Sequence, residues 1–167
     1  MNDEHIRIRA AGPDDELAVR EVLEGAGLGV DGLELEGDSV FWLLTYSGEP
    51  VGAVGLEHAA DGGDGGASLL RGTAVLPDFR GQGLGRALVL SAVTGAQLRG
   101  DSALYLFSLG GDWHGFGFEP TTLAELTLAL GDVPQVRRLR AGGALPGPEC
   151  WVRRLNPARQ APVRSGA

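Results

Sequence analysis

The chain of 167 residues contains no lysine; all fourteen of its cationic side chains are arginine. A nucleoside-triphosphate loop of the GxxxxGK[ST] type needs a lysine to reach the terminal phosphates, so that chemistry has no candidate residue, and neither does Schiff-base catalysis on lysine. Cysteine is nearly absent as well. With Cys150 alone, no intrachain disulfide and no multi-cysteine metal site can form, and its place before Trp151 and Val152 reads as a small buried residue rather than a nucleophile. No apolar run reaches membrane-spanning length, and Met1-Asn2-Asp3-Glu4 lacks the basic and apolar regions of a secretion signal, so the cytoplasm is the expected compartment. Positive charge is also in deficit. A formal net charge of −8 argues against nucleic acid or an anionic membrane as partner, and the run Arg137, Arg138, Arg140 reads as a solvated face.

What is present fits one globular domain, with 43% apolar residues and no internal repeat. Ile6 to Arg9 alternates as a strand. Pro13 with Asp14, Asp15 and Glu16 starts a helix whose buried face is Val19, Val22, Leu23 and Ala26, with Gly25 and Gly27 at its end. A short helical turn is expected over Asp31 to Leu35. Val40 to Tyr46 and Val51 to Glu57 form a hairpin about Ser47-Gly48-Glu49-Pro50, and residues 60–67 form a flexible tip before a strand over Ser68 to Leu76. Leu84, Leu88, Ala92 and Gly95 space a helix to about Arg99, stopped by Gly100, and Ala103 to Phe107 is the next strand. Strand, helix and strand make a βαβ unit, which requires a parallel pair with a crevice at its carboxyl ends. Further strands are expected near Thr121 to Leu130 and over Cys150 to Leu155, with 132–147 irregular.

At that crevice stand Arg80, Gly81, Gln82, Gly83, Leu84, Gly85 and Arg86. Alternate glycines let the backbone approach a ligand, the helix start offers unpaired amides, and two arginines flank them, which makes an anion cradle. A dinucleotide fingerprint GxGxxG fails, because Arg86 stands where Gly81 would require Gly or Ala, and Leu88 where Gly83 would. The pattern that fits is RxxGxG, read as Arg80, Gly83 and Gly85.

With the strand end Ala74-Val75, then Pro77, an aromatic Phe79, and Leu84-Gly85-Arg86-Ala87-Leu88, this stretch resembles the acetyl-CoA motif of the GNAT superfamily of N-acetyltransferases. The resemblance implies an α/β (α+β) fold: a mixed, mostly antiparallel sheet with a splayed parallel pair and flanking helices. A single domain over 1–155 with a disordered tail over 156–167 is expected. Val51 to Glu57, Leu69-Leu70-Arg71, Tyr105-Leu106 and the approach to Cys150 look like acetyltransferases associated with arsenic resistance, although the second cysteine of their final segment is missing here. The implied activity is direct, metal-free transfer of acetyl from acetyl-CoA to a primary amine of a small molecule, with a homodimer as the assembly left open.

The resemblance places the pyrophosphate on the amides of Gly81 to Arg86 and pairs the pantetheine with Ala74 and Val75 as an added strand. The amide of Val75 would bind the oxyanion. Because amines hold their proton near neutrality, a base is required; Glu57, ending its strand beside the cleft, is the expected one, ahead of His58 and Glu119. Arg71 sits in an otherwise apolar strand and needs a partner, either Glu57 or a substrate carboxylate, and strict alternation would put it on one face with Leu69, Thr73 and Val75. Many GNAT enzymes place a tyrosine acid five residues before the Phe of a Gly-Phe turn. Counting back from Phe118 gives Trp113, which donates a hydrogen bond but is no general acid, so Trp113 is expected to pack against the cofactor, with His114, Tyr105 or water as the acid. A noncatalytic acyl-CoA-binding module is the alternative.

Overall fold

Among the described residues seven strands form: β1 (Ile6–Ala10), β2 (Ser39–Tyr46), β3 (Glu49–His58), β4 (Ala67–Val75), β5 (Ala103–Ser108), β6 (Glu119–Thr121) and β7 (Glu149–Arg154). They are joined by the helices α1 (Glu16–Gly25), α2 (Leu84–Arg99) and α3 (Leu123–Leu130). These come from a computed structural model that describes residues 5–28, 39–59, 66–108, 111–133, 136–137 and 149–155. The turn expected at 31–35, the hairpin tip at 60–65, most of 132–147, including Arg138 and Arg140, and the tail at 156–167 lie outside the described residues.

One sheet runs in the order β1-β2-β3-β4-β5-β7-β6, and every neighbouring pair is antiparallel except β4 with β5. The parallel pair is as expected from the βαβ pattern, and the mixed, mostly antiparallel sheet is as the family resemblance implies. Pairing between β4 and β5 covers only Ala67↔Ala103 to Leu70↔Leu106. Beyond Leu70, β4 continues to Val75 on β3 alone, while Phe107 and Ser108 of β5 stay with β7. The two parallel strands thus part, and β4 from Arg71 to Val75, five of its nine residues, presents an open edge.

Strict alternation along β4 does not hold. Gly55↔Arg71 and Ala53↔Ala74 are two residues apart on β3 but three apart on β4, so a bulge at Gly72 and Thr73 inserts one residue. The faces downstream are exchanged: Leu69, Arg71 and Ala74 share one face, and Val75 joins Leu70 on the other, against the core around α2.

The α2 face is packed by Leu44, Val54, Leu56, Leu88, Leu106 and Phe118, the last only 1% exposed. The opposite face carries two separate clusters, one under α1 (Val19, Val22, Leu23, Phe41, Ala53, Ala74) and one under α3 (Leu69, Tyr105, Leu126, Leu130, Val152). A bidentate pair between Arg9 and Asp15 and a bond from the Gly12 amide fix the approach to α1 and hold the Asp15 carboxyl down at about 2.

A strand through 121–130 is not what forms. β6 stops at Thr121 and α3 begins, because the Thr122 hydroxyl accepts from the Glu125 amide and Leu126 and Leu130 fall one turn apart on the buried side. Among the described residues no helix is long and apolar enough to cross a membrane.

Close approach explains Gly55. A methyl there would lie 2.5 Å from the Phe41 ring, whose neighbours are all packed. Gly55→Ala is expected to cost about 1–3 kcal/mol by overpacking, read as a shift of the urea midpoint at unchanged slope.

Candidate active site

The loop after β4 is built by a 3-10 turn at Pro77–Phe79 and two glycines in left-handed conformation, Gly81 (φ 81°) and Gly83 (φ 78°), the second capping α2. A Cβ at either would meet nothing within 4 Å, so it is backbone twist and not crowding that calls for glycine. The amides of Gly81, Gln82, Gly83, Leu84, Gly85 and Arg86 make no hydrogen bond to another described residue; the first helical amide to be returned is that of Ala87, to the Gly83 carbonyl at 3.1 Å. Six consecutive donors at a helix start carry partial positive charge with no internal acceptor. The Leu84 side chain is buried in the core, which leaves only its amide for a ligand.

The two flanking arginines behave differently. Arg80 turns back, its Nε donating to the Val75 carbonyl at 2.9 Å and Nη2 to the Ala26 carbonyl at 3.3 Å, so it ties the loop to the end of β4 and to the end of α1. Arg86 lies 5.4 Å from the centre of the Phe116 ring, spanning from α2 to the turn that follows β5. Trp113 belongs to that turn: its Nε1 donates to Ser108 Oγ at 3.2 Å, and its ring packs on Phe116 and edge-on to Phe118.

On the open edge, direction follows from the ladder. The Leu76 amide donates to the Val51 carbonyl at 2.9 Å, so Val75, one residue earlier and opposite Gly52, turns its own amide and carbonyl away from β3 towards the gap left by β5. Its carbonyl is taken by Arg80, and its amide faces the gap. Thr73, within the bulge, carries no mark of its own in the sequence, yet its Oγ1 is buried without a partner. The only sign in the sequence is the preceding Gly72, a residue that often marks a bulge.

Glu57 is fully buried, and its Oε2 receives Arg71 Nη1 at 2.6 Å, so these two residues are brought together. By register Glu57 lies opposite Leu69, five residues along β3 from Gly52, the partner of Val75. That is about 17 Å of extended strand. Arg71 lies between, the first residue of β4 past the last parallel pair.

The other expected groups are dispersed. His58 Nδ1 meets Ser68 Oγ at 2.5 Å, and Ser68 donates to the buried Asp101, which Arg99 also pairs; this network fastens β3, β4 and the end of α2 at the pole away from the loop. Tyr105 points under α3, where burial and the nearby Glu125 push its phenol up. His114 is exposed and bonded to Asp112, whose carboxyl is held below its ordinary value first by the His114 backbone amide and then by its ring. Glu119 is exposed on β6. Burial pushes the Cys150 thiol up, away from thiolate, in the cluster under α3.

Residues 10–109 match the acetyltransferase (GNAT) family. Among solved structures, the chain is similar to N-acetylglutamate synthase from Neisseria gonorrhoeae complexed with coenzyme A and N-acetyl-glutamate, at 23% identity and a TM-score of 0.70 over 90% of this chain and 35% of that one. This chain thus spans about a third of the length of the synthase. A GNAT-family acetyltransferase from Staphylococcus aureus Mu50 is 15% identical with a TM-score of 0.66, covering 90% of this chain and 99% of its own. A GNAT-family acetyltransferase from Brucella melitensis in complex with acetyl-CoA is 21% identical with a TM-score of 0.56, covering 69% and 83%. A search of curated protein sequences finds no match.

Proposed function

Because this chain belongs to the acetyltransferase (GNAT) family, we propose that its domain over 1–155 transfers acetyl directly from acetyl-CoA to a primary amine of a small molecule. The observation that carries this reading is the pairing of six unengaged amides at 81–86 with an open β4 edge leading away from them. The coenzyme A and acetyl-CoA complexes of the Neisseria and Brucella proteins support it.

The amides of 81–86 hold the pyrophosphate, with Arg80 keeping the loop in place and Arg86 adding charge at its rim. Pantetheine lies along Ala74 and Val75 as an added strand, pairing with groups that β5 has left free. The Val75 amide points to where the thioester oxygen gains charge. The buried, unpartnered Thr73 hydroxyl lies two residues along β4 towards Arg71 and Glu57. Placing the reacting carbonyl between that hydroxyl and the Val75 amide brings the amine towards Glu57, which takes its proton through water, since one carboxylate oxygen is held by Arg71. The amine attacks the carbonyl carbon, the tetrahedral oxyanion rests on the Val75 amide, and collapse expels the thiolate, which water protonates. Trp113 closes the cofactor side of the cleft. The protein acts in the cytoplasm.

Thiol release from acetyl-CoA with a panel of primary amines tests the reading. Amine-dependent release is expected, and Glu57→Gln should lower kcat by about 10²-fold or more with altered pH dependence. Coenzyme binding without release for any amine would support instead a noncatalytic acyl-CoA-binding module, the reading favoured by Trp113 at the usual acid position.

A further inference from the structure

Arg71 is 7% exposed, and its guanidinium is only partly used. Nη1 holds Glu57, while Nε is buried without a partner, and Nη2 makes no hydrogen bond to a described residue. A buried guanidinium carries five donors in a planar fork, and leaving one edge of that fork unmet is costly. Its position gives the cost a purpose. Arg71 stands where β4 first loses β5, on the face between the cluster under α1 and the cluster under α3, beside the edge where the proposed thioester lies. No other ion pair between described residues is as deeply buried on both sides, with side-chain exposures of 5% and 0%.

We propose that the acceptor is an amine bearing a carboxylate, of the amino-acid class, and that Arg71 sets this specificity. The inference rests on the acetyl-transfer reading above. The free Nε and Nη2 edge grips the substrate carboxylate side-on with two parallel hydrogen bonds, the arrangement that suits guanidinium and carboxylate geometry. Glu57, held on the other nitrogen, keeps the fork in plane and takes up the proton of the neighbouring ammonium. The buried pair thus matches a zwitterion: the guanidinium meets the carboxylate, and the Glu57 carboxylate faces the ammonium through water. Arg71 acts as a binding residue here, and its loss shows in discrimination between acceptors and not in coenzyme affinity.

The test compares amino acids with the amines obtained by removing their carboxyl group, each measured by thiol release from acetyl-CoA. The wild type is expected to favour the acids by about ten- to a hundredfold in kcat/KM, mostly through KM. Arg71→Lys keeps a cation beside Glu57 but has no second edge, so the ratio should fall about tenfold while the acetyl-CoA Kd stays unchanged; Arg71→Gln should abolish the preference. Equal use of acids and decarboxylated amines by the wild type, or an undiminished preference in Arg71→Lys, overturns the proposal and leaves acetyl transfer standing. Absence of release with either class overturns both.

Discussion

Arg71→Leu is expected to lower stability by about 3–5 kcal/mol, because it leaves the Glu57 carboxylate buried without the guanidinium 2.6 Å away. The magnitude comes from the uncompensated charge, not from any net worth of the pair. Taking two ions out of water costs several kcal/mol each, and their attraction returns that only while both are present. The double variant Glu57→Leu/Arg71→Leu should therefore recover most of the loss. Glu57 faces the side of the sheet that carries the two apolar clusters, so leucine there meets a compatible neighbourhood. Urea unfolding of the two single variants and the double variant gives the coupling energy directly, and a coupling near zero would show that the pair is not needed to hold β3 to β4.

Gly83→Val is expected to weaken acetyl-CoA binding by about ten- to thirtyfold with little change in the unfolding midpoint. At φ 78° a β-branched residue is strained by about 1–2 kcal/mol, and nothing within 4 Å of its Cβ would stop the loop from relaxing. The loop escapes that strain by rotating amides out of the cradle, so the cost appears when the pyrophosphate forces them back. Titration calorimetry of the variant separates this from misfolding, since Arg80 still anchors the loop to Val75 and Ala26. Gly85→Ala offers a contrast: its Cβ would lie 3.9 Å from Val75, an ordinary contact, and its affinity should change less.

Much of this site can be read in the sequence because local rules govern it. Arg80 to Arg86 requires no long-range information: glycines at alternate positions, a helix spaced by Leu84, Leu88 and Ala92, and Gly100 as its end define the loop and α2, which runs Leu84–Arg99. The need of Arg71 for a partner follows from one charge among apolar neighbours, and Glu57 meets it. The bulge was harder. One inserted residue in β4 changes no composition, yet it moves Val75 to the α2 face. The leucines and threonines that dominate 121–130 suit a strand as well as a helix, and the Thr122 and Glu125 capping pair is what decides for α3. The network of His58, Ser68, Asp101 and Arg99 joins segments far apart in the chain, and no local pattern marks it.

The central claim is that the amides of 81–86 and the open edge of β4 form one acetyl-CoA site. Amide-resolved NMR of the full chain titrated with acetyl-CoA tests it most directly. Saturable binding at one equivalent, with the largest shifts at Gly81 to Arg86 and continuing to Val75 and Thr73, is the expected result. No binding, or shifts confined to residues elsewhere while those amides stay unmoved, would contradict it.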